Sequence, residues 1–264
     1  MIKLIATDID GTLVEDGSTN INPEIFDIIR KLKEKGIIFV VASGRQYPSI
    51  RNLFSPVAED IIFIAENGAH VMCRETIMSV TEMDRAKAEE LIHDFRTKTD
   101  CQMVVSTSDG AYTESSDPAF MDWMINGYKN KITVVEDALK EDITIIKASL
   151  CKMDGIREVA DELIPKWKPV FKCCMAGEQW LDIMDNTVDK GQAIKIIQDF
   201  FQISCEDTMA FGDNSNDVGM LKRARYSYAV ETASEDAKAS AKHIAKSYKE
   251  NGVLNVLKGL LQAE

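Results

Sequence analysis

Histidine is scarce in this chain. His70, His93 and His243 stand alone among 264 residues, so a histidine-based triad or a histidine metal site has no support. Six cysteines, Cys73, Cys101, Cys151, Cys173, Cys174 and Cys205, are scattered without a C-x-x-C pair. That argues against a thiolate zinc site and fits reduced thiols. Basic charge is in deficit: 31 Lys and Arg against 43 Asp and Glu leave a net charge of −12. A nucleic-acid partner would want a basic face, so none is expected. Anionic substrates remain open, because a local cluster of donors or a cation can bind phosphate inside an acidic protein. No run of about 18 apolar residues occurs, so no membrane span is read. The first strand candidate begins almost at Met1, so no signal peptide is expected and the location expected is cytoplasmic. Internal repeats, low-complexity tracts and Pro/Gly/Ser linkers are missing too. The remaining composition, 45% hydrophobic and 28% charged, is enough for a real core in one large domain or two modest ones.

What is present has a clear order. Leu4 to Ala6 reads as a short buried strand that ends in Asp8 and Asp10, followed at once by Gly11 and Thr12. Asn22 and Pro23 open a helix as N-cap and first helical residue. Ile25, Ile28, Ile29 and Leu32 form one apolar face, and Gly36 ends the helix. Ile37 to Ala42 is apolar throughout, as expected of a parallel strand covered on both sides. Ser43-Gly44-Arg45 follows, then a helix near Pro48 to Phe54 and a third apolar strand, Ile61 to Ala65. Asn67-Gly68 then suggests a hairpin into His70 to Cys73.

From about Thr81 the texture changes. Asp84 to Thr97 is amphipathic. Shorter strand candidates follow at Cys101 to Ser106, Ala111 to Glu114, Ile132 to Glu136, Ile143 to Leu150, Pro169 to Met175 and Trp180 to Met184. Helices are expected near Pro118 to Tyr128 and Gly155 to Ile164. Thr81 to Asp185 therefore reads as an inserted α+β domain. The regular pattern returns at Asp189-Lys190-Gly191, with Ala193, Ile194, Ile197 and Phe201 on one helix face. Thr208 to Phe211 and Tyr226 to Val230 read as strands, and a last helix runs from about Gly252 to Leu261. The expected fold class is α/β, with a Rossmann-like parallel-sheet core of residues 1–80 and 186–264 around the insert of 81–185.

Four polar stretches each lie at the end of a core strand or the start of a core helix, positions that share one edge of a parallel sheet. Asp8-x-Asp10 supplies two carboxylates that can divide nucleophilic and acid–base work. Gly212-Asp213-Asn214-Ser215-Asn216-Asp217 adds acids and amides. With Asp8 it makes an oxygen-only cluster that suits Mg²⁺ rather than zinc or copper. Ser43-Gly44 is a modest anion cradle. Lys190 sits in the first turn of a helix, where a cation opposes the macrodipole. Taken singly, the last three have plain readings as caps, a polar loop or a solvated lysine.

Together, Asp8-Ile9-Asp10-Gly11-Thr12, Ala42-Ser43-Gly44-Arg45, Asp189-Lys190-Gly191 and the 212–217 loop resemble the four motifs of the haloacid dehalogenase superfamily. Their order and the large insert resemble its Cof-type sugar-phosphate phosphatases. The resemblance covers residues 1 to about 75 and about 186 to 264, and the insert is similar in size and texture to that family's cap. It implies that Asp8 attacks phosphorus to form an aspartyl-phosphate, and that Asp10 protonates the leaving alcohol and then activates water. It implies Mg²⁺ on Asp8, the Asp10 carbonyl and Asp213, and phosphate on Ser43, Gly44, Lys190 and Asn216. Asp217 belongs to a supporting shell. The insert is expected to close over the site and read a small phosphorylated metabolite, a sugar phosphate above all. Arg45 and Asn67-Gly68 share the edge and could touch substrate, although a turn explains Asn67-Gly68 adequately. Two rivals stay open: a phosphomutase, and a non-catalytic phosphometabolite-binding protein. A monomer or small homo-oligomer is expected.

Overall fold

In the computed structural model, which describes residues 1–263, the first apolar run forms strand β1 (Leu4–Thr7), buried along its whole length. Helix α1 (Glu24–Glu34) follows, and Asn22 Oδ1 accepts the Glu24 N–H at 3.1 Å, satisfying a donor that the helix start would leave orphaned. Its four expected apolar residues are all buried. Next come β2 (Ile38–Ala42), α2 (Tyr47–Leu53), β3 (Ile61–Ala65), β4 (His70–Cys73) and β5 (Thr76–Val80). The insert holds α3 (Arg85–Phe95), β6 (Gln102–Thr107), β7 (Gly110–Thr113), α4 (Pro118–Asp122), β8 (Ile132–Val134), β9 (Lys147–Cys151), α5 (Arg157–Trp167), β10 (Lys172–Ala176) and β11 (Trp180–Met184). The chain then runs through α6 (Lys190–Phe201), β12 (Thr208–Gly212), α7 (Val218–Lys222), β13 (Tyr226–Val230), α8 (Glu235–Ser240), β14 (His243–Ala245) and α9 (Gly252–Ala263).

Two compact units result. One comprises residues 1–45, 50–79 and 189–264, the other residues 46–49 and 80–188. The first is built on an eight-stranded sheet in the order β14-β13-β12-β1-β2-β3-β4-β5. From β14 to β3 the neighbours pair in parallel, and β4 turns back antiparallel on β3. Both faces are covered, so Leu4, Ala6, Val40, Ile64, Ala210 and Ala229 join Ile194, Ile197 and Met220 in one core cluster. Strand order runs one way from β1 to β3 and the other way from β12 to β14, so β1 marks the switch point where such sheets bind ligands. The second unit has a six-stranded sheet, β10-β11-β9-β6-β7-β8, antiparallel except for β7 with β8. Helices α3 and α5 contribute to its own apolar cluster, which includes Phe95, Leu150, Leu163, Trp167 and Ile183.

The structure departs from the sequence reading in several elements. The apolar run Ile143 to Ile146 is not strand: Ile145 and Ile146 are buried, but the Ile145 carbonyl serves the Met83 N–H, and pairing begins at Lys147. The helix expected over 118–128 is α4 followed by a single π-turn at Trp123–Gly127. Phe201 lies off the buried face of α6, half-exposed beside Phe200, which is 71% exposed. Strands β5 and β14 and helix α8 are too short to show a period. Among the described residues, no helix is long and apolar enough to cross a membrane.

Candidate active site

The backbone sets the geometry first. The Asp8 N–H still bonds the Phe211 carbonyl of β12 at 3.0 Å, so Asp8 is the last rung of the β1–β12 ladder. Beyond it the chain wraps back, with the Leu13 and Val14 N–H groups both on the Ile9 carbonyl. Gly11 is at φ +79°, and a Cβ there would lie 2.3 Å from Asp213 Oδ2. Only glycine lets the turn form and the 213 carboxylate approach. The Thr12 hydroxyl donates to Asp213 Oδ1 at 2.9 Å, fixing the acid from the neighbouring loop.

Lys190, 0% exposed, is the centre of the cluster. It opens α6 behind Asp189, whose carboxylate caps the helix by accepting the Gly191 and Gln192 N–H groups. Its Nζ donates to Asp8 Oδ1 at 2.5 Å and to Asp217 Oδ1 at 2.7 Å. Asp217 Oδ2 in turn accepts the backbone N–H groups of Asp213 and Asn214, at 3.0 and 3.1 Å. Asp217 is thus committed to protein donors at both oxygens. Asp8 is not: its Oδ2 is buried with no hydrogen-bond partner. Carboxylate oxygens of Asp8, Asp213 and Asp217 all lie within 4.8 Å of one another.

Two buried acids and the half-buried Asp213 therefore face one ammonium, and the uncompensated charge is costly in that setting. Burial, the largest cause, pushes the Asp8 carboxyl well above the usual range; Lys190 pulls it back, while Asp217, Asp213 and Asp10 push it up further. Burial, then Asp217, raises Asp213 to about 6. Burial alone would depress Lys190, but Asp217 and Asp8 outweigh it and hold the ammonium above its ordinary value. The donor set is hard oxygen with net negative charge, and Asp8 Oδ2 is an orphaned acceptor, so the residues fit a divalent cation of the Mg²⁺ type. Asp8 and Asp213 are the carboxylates available to it, with Asp217 behind them.

Asp10 is held apart from this cluster. Arg45 Nε donates to its Oδ2 at 2.8 Å and Arg45 Nη2 to its Oδ1 at 2.5 Å, a bidentate fork. The Gly17 N–H adds a bond to Oδ1 at 3.0 Å. Arg45 is 8% exposed and also donates to the Ser18 carbonyl. Ser43 is buried, with its Oγ accepting the Arg45 N–H. Ser43, Gly44 and Asn216 meet at Asn67: the Asn67 N–H bonds the Ser43 carbonyl, and Asn216 Nδ2 donates to Asn67 Oδ1. Of the seven residues expected at the site, Lys190 opens α6 and draws in Asp8, with Asp213 beside it; Asp10 is held by Arg45, and Ser43, Gly44 and Asn216 gather around Asn67. Sequence reasoning missed the Thr12 hydroxyl on Asp213 and the fork on Asp10. The one signal for the latter was an arginine directly after the Ser-Gly pair.

Comparison with known proteins agrees in extent. The family model of haloacid dehalogenase-like hydrolases matches residues 5–257. A 5-amino-6-(5-phospho-D-ribitylamino)uracil phosphatase of Escherichia coli K12 is 28% identical over 271 residues, spanning 100% of this chain and 97% of the relative. A crystal structure from Eubacterium rectale matches with a TM-score of 0.88 at 36% identity, covering 98% of this chain and 99% of that one. Another, from Streptococcus mutans, matches with a TM-score of 0.86 at 27% identity over 99% and 100% of the two chains. With the matched segment running nearly end to end, the chain belongs to the haloacid dehalogenase-like hydrolase family.

Proposed function

We propose that this hydrolase is a Mg²⁺-dependent phosphatase of small phosphorylated metabolites, sugar phosphates in particular, working through an aspartyl-phosphate intermediate. The observation that carries the reading is Asp8: a buried carboxylate at the switch point with one oxygen on Lys190 and the other without a partner. The name of the Escherichia coli relative supports the substrate class, since its phosphate sits on a ribityl chain, a sugar-derived alcohol.

Phosphoryl transfer asks a protein mainly for positioning and for neutralised charge. Asp8 attacks phosphorus, forming a carboxylate–phosphorus bond while the bond to the leaving oxygen breaks. Asp10 gives that oxygen a proton. It then takes a proton from the water that cleaves the intermediate, returning Asp8 and releasing phosphate. In the structure both Asp10 oxygens are held by Arg45, so each proton transfer requires Asp10 to give up one of those bonds. Lys190, the Ser43 hydroxyl, the Gly44 N–H and the Asn216 amide bind phosphoryl oxygens. Asp8, the Asp10 carbonyl and Asp213 would hold Mg²⁺, which supplies the positive charge that lets an anionic nucleophile meet a phosphate dianion. The inserted unit, residues 81–185 in the sequence reading, supplies leaving-group selectivity.

The test is turnover of a generic phosphate ester with Mg²⁺ and with EDTA, scoring free phosphate against isomerised ester. Wild type should release phosphate only with the metal, and Asp8→Asn should lose at least about a thousandfold in kcat. EDTA-insensitive turnover that survives Asp8→Asn would overturn the reading, and an isomer in place of free phosphate would make the protein a mutase.

A further inference from the structure

The Asn-Gly turn after β3 is more than a hairpin connection. Glu66 and Asn67 both adopt left-handed backbone, φ +50° and +59°, ahead of Gly68 at +110°. Two consecutive non-glycine residues in that region are uncommon, although asparagine tolerates it better than most. An ordinary Asn-Gly turn points its amide at solvent, whereas Asn67 is 4% exposed. Two of its hydrogen bonds reach other loops. The N–H donates to the Ser43 carbonyl at 3.0 Å. Its Oδ1 accepts from Asn216 Nδ2 at 3.1 Å, across 149 residues of sequence. A Cβ on Gly44 would lie 3.1 Å from Asn67 Oδ1 and 3.3 Å from Nδ2, so the amide lies directly against that glycine. In the sheet, β1 and β2 separate β3 from β12. The bond to Asn216 therefore joins loops on either side of the strands that carry Asp8 and Ser43.

We propose that Asn67 is a positioning residue for the phosphoryl group, an inference that rests on the phosphatase reading. Two effects follow from the bonds. Asn216 Nδ2 spends one N–H on Asn67 Oδ1, which fixes the amide plane and leaves the second N–H to be aimed at a phosphoryl oxygen. The Ser43 carbonyl is pinned by the Asn67 N–H. In a trans peptide the carbonyl and the next N–H point in opposite directions, so pinning the Ser43 carbonyl also fixes the direction of the Gly44 N–H. The left-handed backbone is what lets one residue serve both loops, and a strained conformation at such a junction is a feature of binding sites.

Asn67→Gly keeps the left-handed backbone and removes only the amide. The measurement is binding of inorganic phosphate by calorimetry with Mg²⁺ present, on wild type, Asn67→Gly, Asn216→Ala and the double variant. Each single substitution should weaken phosphate about tenfold, with the circular dichroism spectrum unchanged. The double variant should be no weaker than the worse single one, because both remove the same oriented donor. A purely structural role predicts no change in phosphate affinity, or losses that add; either result overturns the inference while leaving the phosphatase reading intact. Failure of wild type to bind phosphate at all overturns that reading and the inference with it.

Discussion

Lys190 is the residue on which the charge balance of the site turns. Its ammonium is the only cation in contact with Asp8 and Asp217 among the described residues, and all three side chains are buried. Replacing it with methionine preserves much of the volume and strips two buried carboxylates of their partner. Breaking a buried ion pair from one side costs about 3–5 kcal/mol, on the order of 10 °C in Tm for a chain of this size. The pH dependence has a definite sign. Burial already raises Asp8 in the folded protein, and Lys190 is the cause that lowers it, so removing the lysine raises it further. A group whose folded pKa exceeds its unfolded value contributes stability below the unfolded value and loses it as pH rises through the folded one. The Tm deficit of Lys190→Met should therefore be smallest near the ordinary carboxyl range and widen toward neutral pH. Thermal melts of both proteins across that interval measure it; a deficit flat in pH would mean that packing, not charge, was lost.

At the scale of elements, the approach of α6 to α7 sets where Lys190 meets Asp217. A Cβ on Gly191 would lie 2.4 Å from the Gly219 carbonyl carbon, and one on Gly219 would lie 2.1 Å from Asp189 Oδ1. Gly219→Ala must push the helices apart or displace the Asp189 cap. The expected cost is about 1–3 kcal/mol, the usual range for overpacking. Hydrolysis of a generic ester should fall by more than the Tm shift explains, since the displacement is aimed at Lys190; unchanged kcat and Tm would show that the helices have slack. Much of this architecture was legible. Strands β2 and β3 are apolar throughout and β1 and β12 nearly so, because both faces are covered; Asp8, Ser43 and Asp213 stand where those runs stop, and Lys190 where helix α6 begins. What was not legible has a common cause. Arg45 on Asp10 and Asn67 on Asn216 are bonds across 35 and 149 residues, and such pairs leave no local period. Phe201 fitted the helical spacing, but it lies off the buried face of α6 at 37% exposure.

Two of the chain's apolar clusters lie in different units, one around Ala6, Val40 and Met220 and the other around Phe95, Trp167 and Ile183. Each closes around its own sheet, and no residue is common to both clusters. A large cavity in one should therefore be felt in that unit first. Phe95 is fully buried among Leu91, Ile92, Leu163 and Trp167 of its cluster, and Phe95→Ala should cost about 3–5 kcal/mol there. Opening free energies in a protein are set by locally cooperative units. Amide exchange should accordingly quicken throughout residues 80–188 while β1, β2 and β12 keep their protection. The parallel strands of the core would then still hold Asp8, Ser43 and Asp213 in register. Uniform loss of protection across both sheets would instead mean that the two cores fold as one unit, and that the insert contributes to the stability of the edge that carries Asp8, Ser43 and Asp213.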